Sequence, residues 1–217
     1  MSNVPIATSL APDLPFKYVG GDPAVDLVNT VDWTRRGPIE DRLTDYDRLT
    51  RWAEGAALLT PRLGSQLRDR AREHPVEAAA AHGAAIELRW VLRELFAATA
   101  HGEPLPGGMI EELDRTVSAT LGQLRLVRSR PGSPGALQWG WRGATDRLDS
   151  IVWPAARAAA ELLVSDEALR IRECGGQDCG WLYVDRSRNG LRRWCQMEVC
   201  GTREKSRRRA ERREAET

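Results

Sequence analysis

Up to about residue 164 the apolar positions of the chain recur mostly with a helical period, and only short stretches alternate with a period of two. Ala24, Val25, Leu27, Val28 and Val31 follow Asp22-Pro23, a capping side chain and a proline suited to the first helical position. A helix is therefore predicted from there to near Trp33, followed by a loop from Thr34 to Glu40. Phe16 to Val19, ahead of it, reads as a short strand ended by Gly20-Gly21. Tyr46, Leu49, Trp52 and Ala53 mark a helix from Thr44 to Leu58, and Pro61 opens a shorter one reaching about Glu73. Pro75 to Ala100 is the longest helical candidate, carrying Ile86, Leu88, Trp90, Val91, Leu92, Leu95 and Phe96 and closed by His101-Gly102. Met109 to Leu121 repeats the pattern. The period then changes: Leu124 to Arg128 and Leu137 to Trp141 flank the loop Pro131 to Gly135, predicting a hairpin in which Leu137, Trp139 and Trp141 share a face that packs beneath a helix. Asp146 to Val164 is the last long helix of this part, kinked or stepped at Pro154.

Beyond it the pattern gives way to chemistry. Four cysteines, Cys174, Cys179, Cys195 and Cys200, fall within 27 residues, and the chain has no others. Core packing would scatter cysteines; two C-x4-C pairs joined by a short hairpin instead bring four thiolates around one tetrahedral ion. The nearest histidine in sequence is His101, so the expected site is all-sulfur, structural and zinc-filled. Disulfides are the alternative, and they require an oxidising compartment; residues 1–10 show no basic segment followed by an apolar one. Gly175 to Asp178 reads as a flexible knuckle, 181–184 as a strand, Asp185 to Gly190 as a turn and Leu191 to Trp194 as the returning strand. Five residues of regular helix leave Cys195 and Cys200 about 140° apart, so a break is required at Gln196 or Gly201. Trp181 and Trp194 are expected to pack over the metal as a small core. Because no Gly/Ser linker separates Ser165–Arg172 from the finger, the module should be docked on the rest.

The net charge of +1 conceals an asymmetry. Between Arg186 and Arg213 eleven basic residues face three acids, a local surplus of +8 that leaves −7 for the remainder. After Cys200 the apolar side chains are confined to Ala210 and Ala215, so a helix there has no stripe to bury and meets solvent or a polyanion. Candidate phosphate-contacting residues are Arg186, Arg188, Arg192, Arg193, Arg203, Lys205, Arg207, Arg208, Arg209 and Arg212, ten positions dominated by the planar guanidinium fork. In the first helix Asp26, Asn29 and Thr30 stand at i, i+3 and i+4, either as internally bonded polar groups or as the lining of a pocket for a small-molecule effector.

The run from Cys174 to Lys205 also resembles a known family. Both cysteine pairs, Asp185 and Ser187 of the turn, the Arg193-Trp194-Cys195 step and Met197 look like the CGNR-type zinc finger of bacterial transcription regulators. The name-giving Cys-Gly-Asn-Arg stands here as Cys200-Gly201-Thr202-Arg203; if the asparagine caps a helix, the Thr202 hydroxyl can replace it, and if it reads a base, the target preference should differ. The helix holding Asp26, with the later Leu49-x-x-Trp52, is similar to the ABATE domain that usually precedes this finger and is described as a stress-induced regulator. The resemblance implies a DNA-binding transcription regulator, with residues 1–168 as a regulatory or sensing domain and 169–217 as the finger; the lack of a basic-apolar start and of a bilayer-length apolar run makes the expected location cytoplasmic.

His74, His82 and His101 have no partner pattern and read as surface or helix-end residues. No P-loop, G-x-S-x-G, H-E-x-x-H or G-x-G-x-x-G sequence occurs, so nothing points to an enzyme. No apolar run approaches the roughly 20 residues that span a bilayer, so no membrane association is expected. The predicted architecture is α+β: a mainly helical N-terminal domain with a small antiparallel sheet, then a treble-clef-like four-cysteine finger ending in a basic helix. The expected partners are double-stranded DNA and a second copy of the chain. A zinc-organised protein-interaction or RNA-binding module is the alternative.

Overall fold

The computed structural model describes residues 9–129, 132 and 134–215. Its axis is α4 (Pro75–His101), on which Ala78, Ala81, Ala85, Leu88, Leu92 and Leu95 form a buried stripe with alternating three- and four-residue steps. Gly102 ends the helix in the left-handed conformation (φ 68°), its N–H turned back to the carbonyls of Ala98 and Thr99. Around it pack α1 (Pro23–Val28), α2 (Tyr46–Gly55), α3 (Pro61–Glu73) and α5 (Gly107–Leu121). The side chains of Asp22, Asp45 and Thr60 cap the first three of these, accepting from Ala24 N, Arg48 N and Leu63 N.

The first predicted helix is cut short. It ends at Val28, and Val31–Thr34 forms β2 (Val31–Thr34), antiparallel to β3 (Gly37–Asp41), with β1 (Ser9–Leu10) running parallel along the other side of β3. Val31 and Trp33, read as helical positions, are the buried half of a period-two pattern. Side chains beyond Val28 bond back onto the last carbonyls of the helix and close it there. Thr30 Oγ1 donates to Leu27 O, and Trp33 Nε1 reaches back to Val28 O at 2.7 Å. The predicted loop over 34–40 is thus mostly strand, turned at Gly37 (φ 125°). Conversely, Phe16 to Val19 forms no strand; Tyr18 donates instead to Trp52 O, and Arg48 stacks 4.2 Å from the Phe16 ring. Arg89 of α4 fastens β3 by a bidentate pair to Asp41 (2.6 and 2.7 Å), both side chains buried.

β4 (Leu124–Arg128) and β5 (Leu137–Trp141) pair antiparallel, with Leu126 opposite Trp139 and Leu124 opposite Trp141. Residues 130, 131 and 133 of the predicted hairpin loop lie outside the described residues. Packing beneath a helix holds for Trp141 alone, whose ring lies 5.9 Å from Trp153. Leu126, Leu137 and Trp139 remain more than half exposed, and Arg157 lies over the Trp139 ring. The helix predicted over 146–164 divides into a 3₁₀ segment (Leu148–Val152) and α6 (Trp153–Leu163). Pro154 sits in the first turn of α6, so it starts that helix and does not kink a longer one. Among the described residues no helix is long and apolar enough to cross a membrane.

Candidate metal centre

A second 3₁₀ turn (Asp166–Arg170) leads into β6 (Ile171–Glu173), which pairs antiparallel with β7 (Leu182–Val184). The partner of the finger strand is therefore the lead-in segment, and the predicted return over Leu191–Trp194 carries no strand. Cys174 leaves β6 with its N–H on Trp181 O, and the knuckle closes with Cys179 N on Gly176 O. A Cβ on Gly176 would lie 3.1 Å from Cys179 Cβ and 3.5 Å from Cys200 Sγ, so a side chain there would press on the knuckle beside the converging sulfurs. The break between the second pair falls at Gln196, which is extended (φ −145°, ψ 128°) and places Cys195 before a single π-helical turn, Met197–Gly201. Gln196 O accepts from both Cys200 N and Gly201 N, and this wide turn swings Cys200 back toward Cys195.

All four sulfurs lie within 4.8 Å of one another. Cys195 Sγ is 3.6 Å from Cys200 Sγ and 3.9 Å from Cys179 Sγ. Zinc–sulfur bonds of about 2.3 Å in a tetrahedron give sulfur–sulfur edges of about 3.8 Å, so the site fits one structural zinc ion and none of these spacings is a disulfide. The backbone N–H of Cys195 points at Cys174 Sγ (3.3 Å), the kind of bond that steadies a thiolate. Without a cation the cluster resists ionisation. Its hydrogen bond to Cys174 pushes the Cys179 thiol up to about 12, burial raises Cys200, and Cys195 is raised by its bonds to Cys174 and Cys179. Only Cys174, accepting from Cys179 and Cys195, is lowered. A divalent ion supplies the charge that lets all four sulfurs be thiolates together.

The tryptophans divide their expected task. Trp194 lies against Gly175 and Gly201 beside the metal loops, but Trp181 faces the helical domain, with Lys17 Nζ 5.4 Å and Arg42 5.8 Å from its ring. Asp185 pins the turn by accepting from Ser187 N, Ser187 Oγ and Arg192 N, and Gly190 takes the positive φ. Thr202 does not cap a helix: it is already helical, and its hydroxyl donates back to Met197 O, closing the π turn.

The finger and the helical domain share hydrogen bonds throughout. Asn29 grips β7 with both ends of its amide, Nδ2 donating to Leu182 O (2.8 Å) and Oδ1 accepting from Leu182 N (3.1 Å), as a neighbouring strand would. Val184 N donates to Gly20 O, Gly180 N to Trp33 O, and Arg93 of α4 to Gly180 O. Glu173 lies 3.4 Å from both Arg93 and His101, His82 Nε2 lies 2.8 Å from Leu43 O, and His74 Nδ1 lies 3.6 Å from Glu77, so each of the three histidines has a partner. The side chains proposed to line an effector pocket are thus otherwise engaged. Asn29 holds Leu182, Thr30 bonds Leu27 O and Arg89, and Asp26 accepts from Gly20 N at 2.7 Å, all three buried. Periodicity gave no hint of this junction, because the spacing of Asn29 on its own helix says nothing of a strand 153 residues away.

Burial pushes Asp26 up from 3.8 to about 6, against the lowering effect of its bond from Gly20 N. The folded chain therefore holds that proton to higher pH than the unfolded chain. Stability is gained as pH falls from about 6 to about 4, and the ionised carboxylate is a standing cost above that window. Asp26→Asn, which keeps an oxygen for Gly20, is expected to stabilise the fold at neutral pH by about 1–3 kcal/mol and to flatten this dependence. Thermal unfolding between pH 4 and 8 checks it; a mutant less stable than the parent at neutral pH refutes it.

The basic residues fall into two groups. Arg186 binds both oxygens of Glu167 and the Gly21 carbonyl, while Arg192 donates to Val19, Trp194 and Cys195 carbonyls over the Tyr183 ring. These two arginines hold the finger in place. On α7 (Thr202–Ala215), Glu204 binds Arg207 and Arg208, and Glu211 binds Arg207. Arg188, Arg203, Lys205, Arg209 and Arg212 are exposed and make no ion pair among the described residues; Arg193, also exposed, lies over Trp194.

Residues 21–166 match the ABATE family, described as "Putative stress-induced transcription regulator", and residues 170–213 match the CGNR zinc finger. No curated protein matches the chain. Neither family is an enzyme family. The first match spans well over half of the chain and the second encloses all four converging sulfurs, so the chain belongs to the ABATE family and carries a CGNR zinc finger.

Proposed function

We propose that this zinc-finger regulator binds double-stranded DNA through α7 and the turn preceding it. The observation that carries the reading is α7 itself: it emerges from the metal site, shows solvent its arginines and Lys205, and has no apolar stripe with which to bury them. Zinc supplies no chemistry to this step beyond holding the π turn, and with it the start of α7, in one pose. Arg203, Lys205, Arg209 and Arg212, with Arg188 and Arg193 beside them, are the phosphate contacts. Arg207 and Arg208 join them when DNA competes with Glu204, whereas Arg186 and Arg192 serve the fold. One short helix makes few base contacts, so two copies act on a paired site in the cytoplasm.

About six phosphate contacts give a slope near −5 for the logarithm of affinity against the logarithm of salt. Replacing Arg203, Lys205, Arg209 and Arg212 by alanine is expected to weaken duplex binding at least a hundredfold and to flatten that slope by about 0.9 per lost contact. Fluorescence anisotropy over a salt series measures both quantities. A slope near zero, or preference for single-stranded RNA in competition, overturns the reading, and light scattering that finds only monomer on DNA overturns the paired site.

A further inference from the structure

Far from the metal, α2, α3 and the first turns of α4 enclose a cleft of about 720 Å³. That volume lies within the range of small-molecule sites, roughly 300–1,000 Å³. Ala71, Pro75 and Ala78 give part of its wall a carbon surface; the two alanines stand where larger side chains would fill the space. The three arginines of its rim are already paired. Arg51 binds Asp47 (2.7 Å), Arg68 binds Glu54 (2.8 Å), Arg72 binds Asp69, and the Asp45 carboxylate caps α2. An anionic guest would have to break one of these pairs, with no spare cation to gain, and would meet the charge of Asp45, unpaired among the described residues. Of its uncharged polar groups, Thr44 and Tyr46 donate their hydroxyl protons to Asp45 and the Leu148 carbonyl, which leaves Ser65 and His82. His82 lines the cleft, and its Nε2, facing the Leu43 carbonyl, must donate, which leaves Nδ1 as an acceptor.

We propose that this cleft binds an uncharged, mostly carbon molecule bearing a hydroxyl group, of the phenol or naphthol class. The site lies at the start of α4, whose later residues Arg93 and His101 reach the finger, so one continuous helix joins it to the metal module. The binding claim does not depend on the DNA reading.

The test is calorimetric titration of the zinc-loaded full chain with 2-naphthol. Ala79→Phe and Ser65→Phe fill the cleft from its α4 and α3 walls; both positions are exposed, so the fold tolerates them. The expected result is saturable one-site binding that each substitution weakens at least tenfold, with naphthalene-2-sulfonate at least tenfold weaker than 2-naphthol. Absence of saturable binding, or binding that both substitutions leave unchanged, overturns the site, and equal affinity for the sulfonate overturns the ligand class. DNA takes no part in the readout, so failure here is distinguishable from failure of the DNA reading.

Discussion

Stripping the metal with a strong chelator, or replacing Cys200 by serine, is expected to unfold the C-terminal module and to lower the unfolding temperature of the whole chain. The cause is electrostatic as well as architectural. Four sulfurs within 4.8 Å of one another cannot remain as thiolates in a largely buried site without a cation, and as thiols they lack the bonds that hold the knuckle to the π turn. Zinc binding in small fingers is worth about 10–16 kcal/mol of apparent folding free energy near neutral pH, comparable to an ordinary domain's entire margin of about 5–15 kcal/mol. The finger's own core is slight, little more than Ile171, Leu182, Tyr183 and Val184, and α7 has no apolar face to fall back on. Helical signal from α7 should vanish, while α4 and its alanine stripe persist. Elemental analysis should find one zinc per chain. A metal-free protein with the parent's melting curve and circular dichroism would refute the assignment.

Replacing Asn29 by alanine is expected to cost about 2–5 kcal/mol, a large effect for a residue that touches neither metal nor solvent. Two buried backbone groups of Leu182 lose their partner at once, and an unsatisfied buried donor or acceptor costs roughly 1–3 kcal/mol. Aspartate is no remedy. It keeps an acceptor for Leu182 N–H, but it removes the donor to Leu182 O and buries a charge. Urea unfolding gives the magnitude, and hydrogen exchange gives the place: the amides of Leu182 and Val184 should lose protection while those of α5 keep theirs. A midpoint unchanged within error would show that water or β6 can take over the role of Asn29.

What the sequence made legible is what short-range rules govern. Asp22-Pro23, Asn189-Gly190 and His101-Gly102 mark boundaries that depend on a few neighbouring dihedrals, and each lies at a turn or helix end in the fold. The cysteine spacing announced the metal site for the same reason. Period reading failed where tertiary partners decide. Val31 and Trp33 satisfy helical and alternating patterns equally well, and only β3, paired alongside, makes them a strand. Trp139 has the alternation of a covered face, yet nothing in the order of residues says how far α6 extends over it. Charge was counted correctly, but its employment was not: Arg186 and Arg192 look like their neighbours in sequence and differ only because Glu167 and the Val19 carbonyl lie opposite them.

The amide of Asn29 also bears on how freely such chains can be recombined. Because β7 borrows one of its edges from a side chain and a glycine carbonyl of the helical body, the finger is not a transplantable cassette. A chimera that joined residues 170–213 to an unrelated body would keep its zinc ligands and still present an unfinished strand edge, available to whatever backbone it met first.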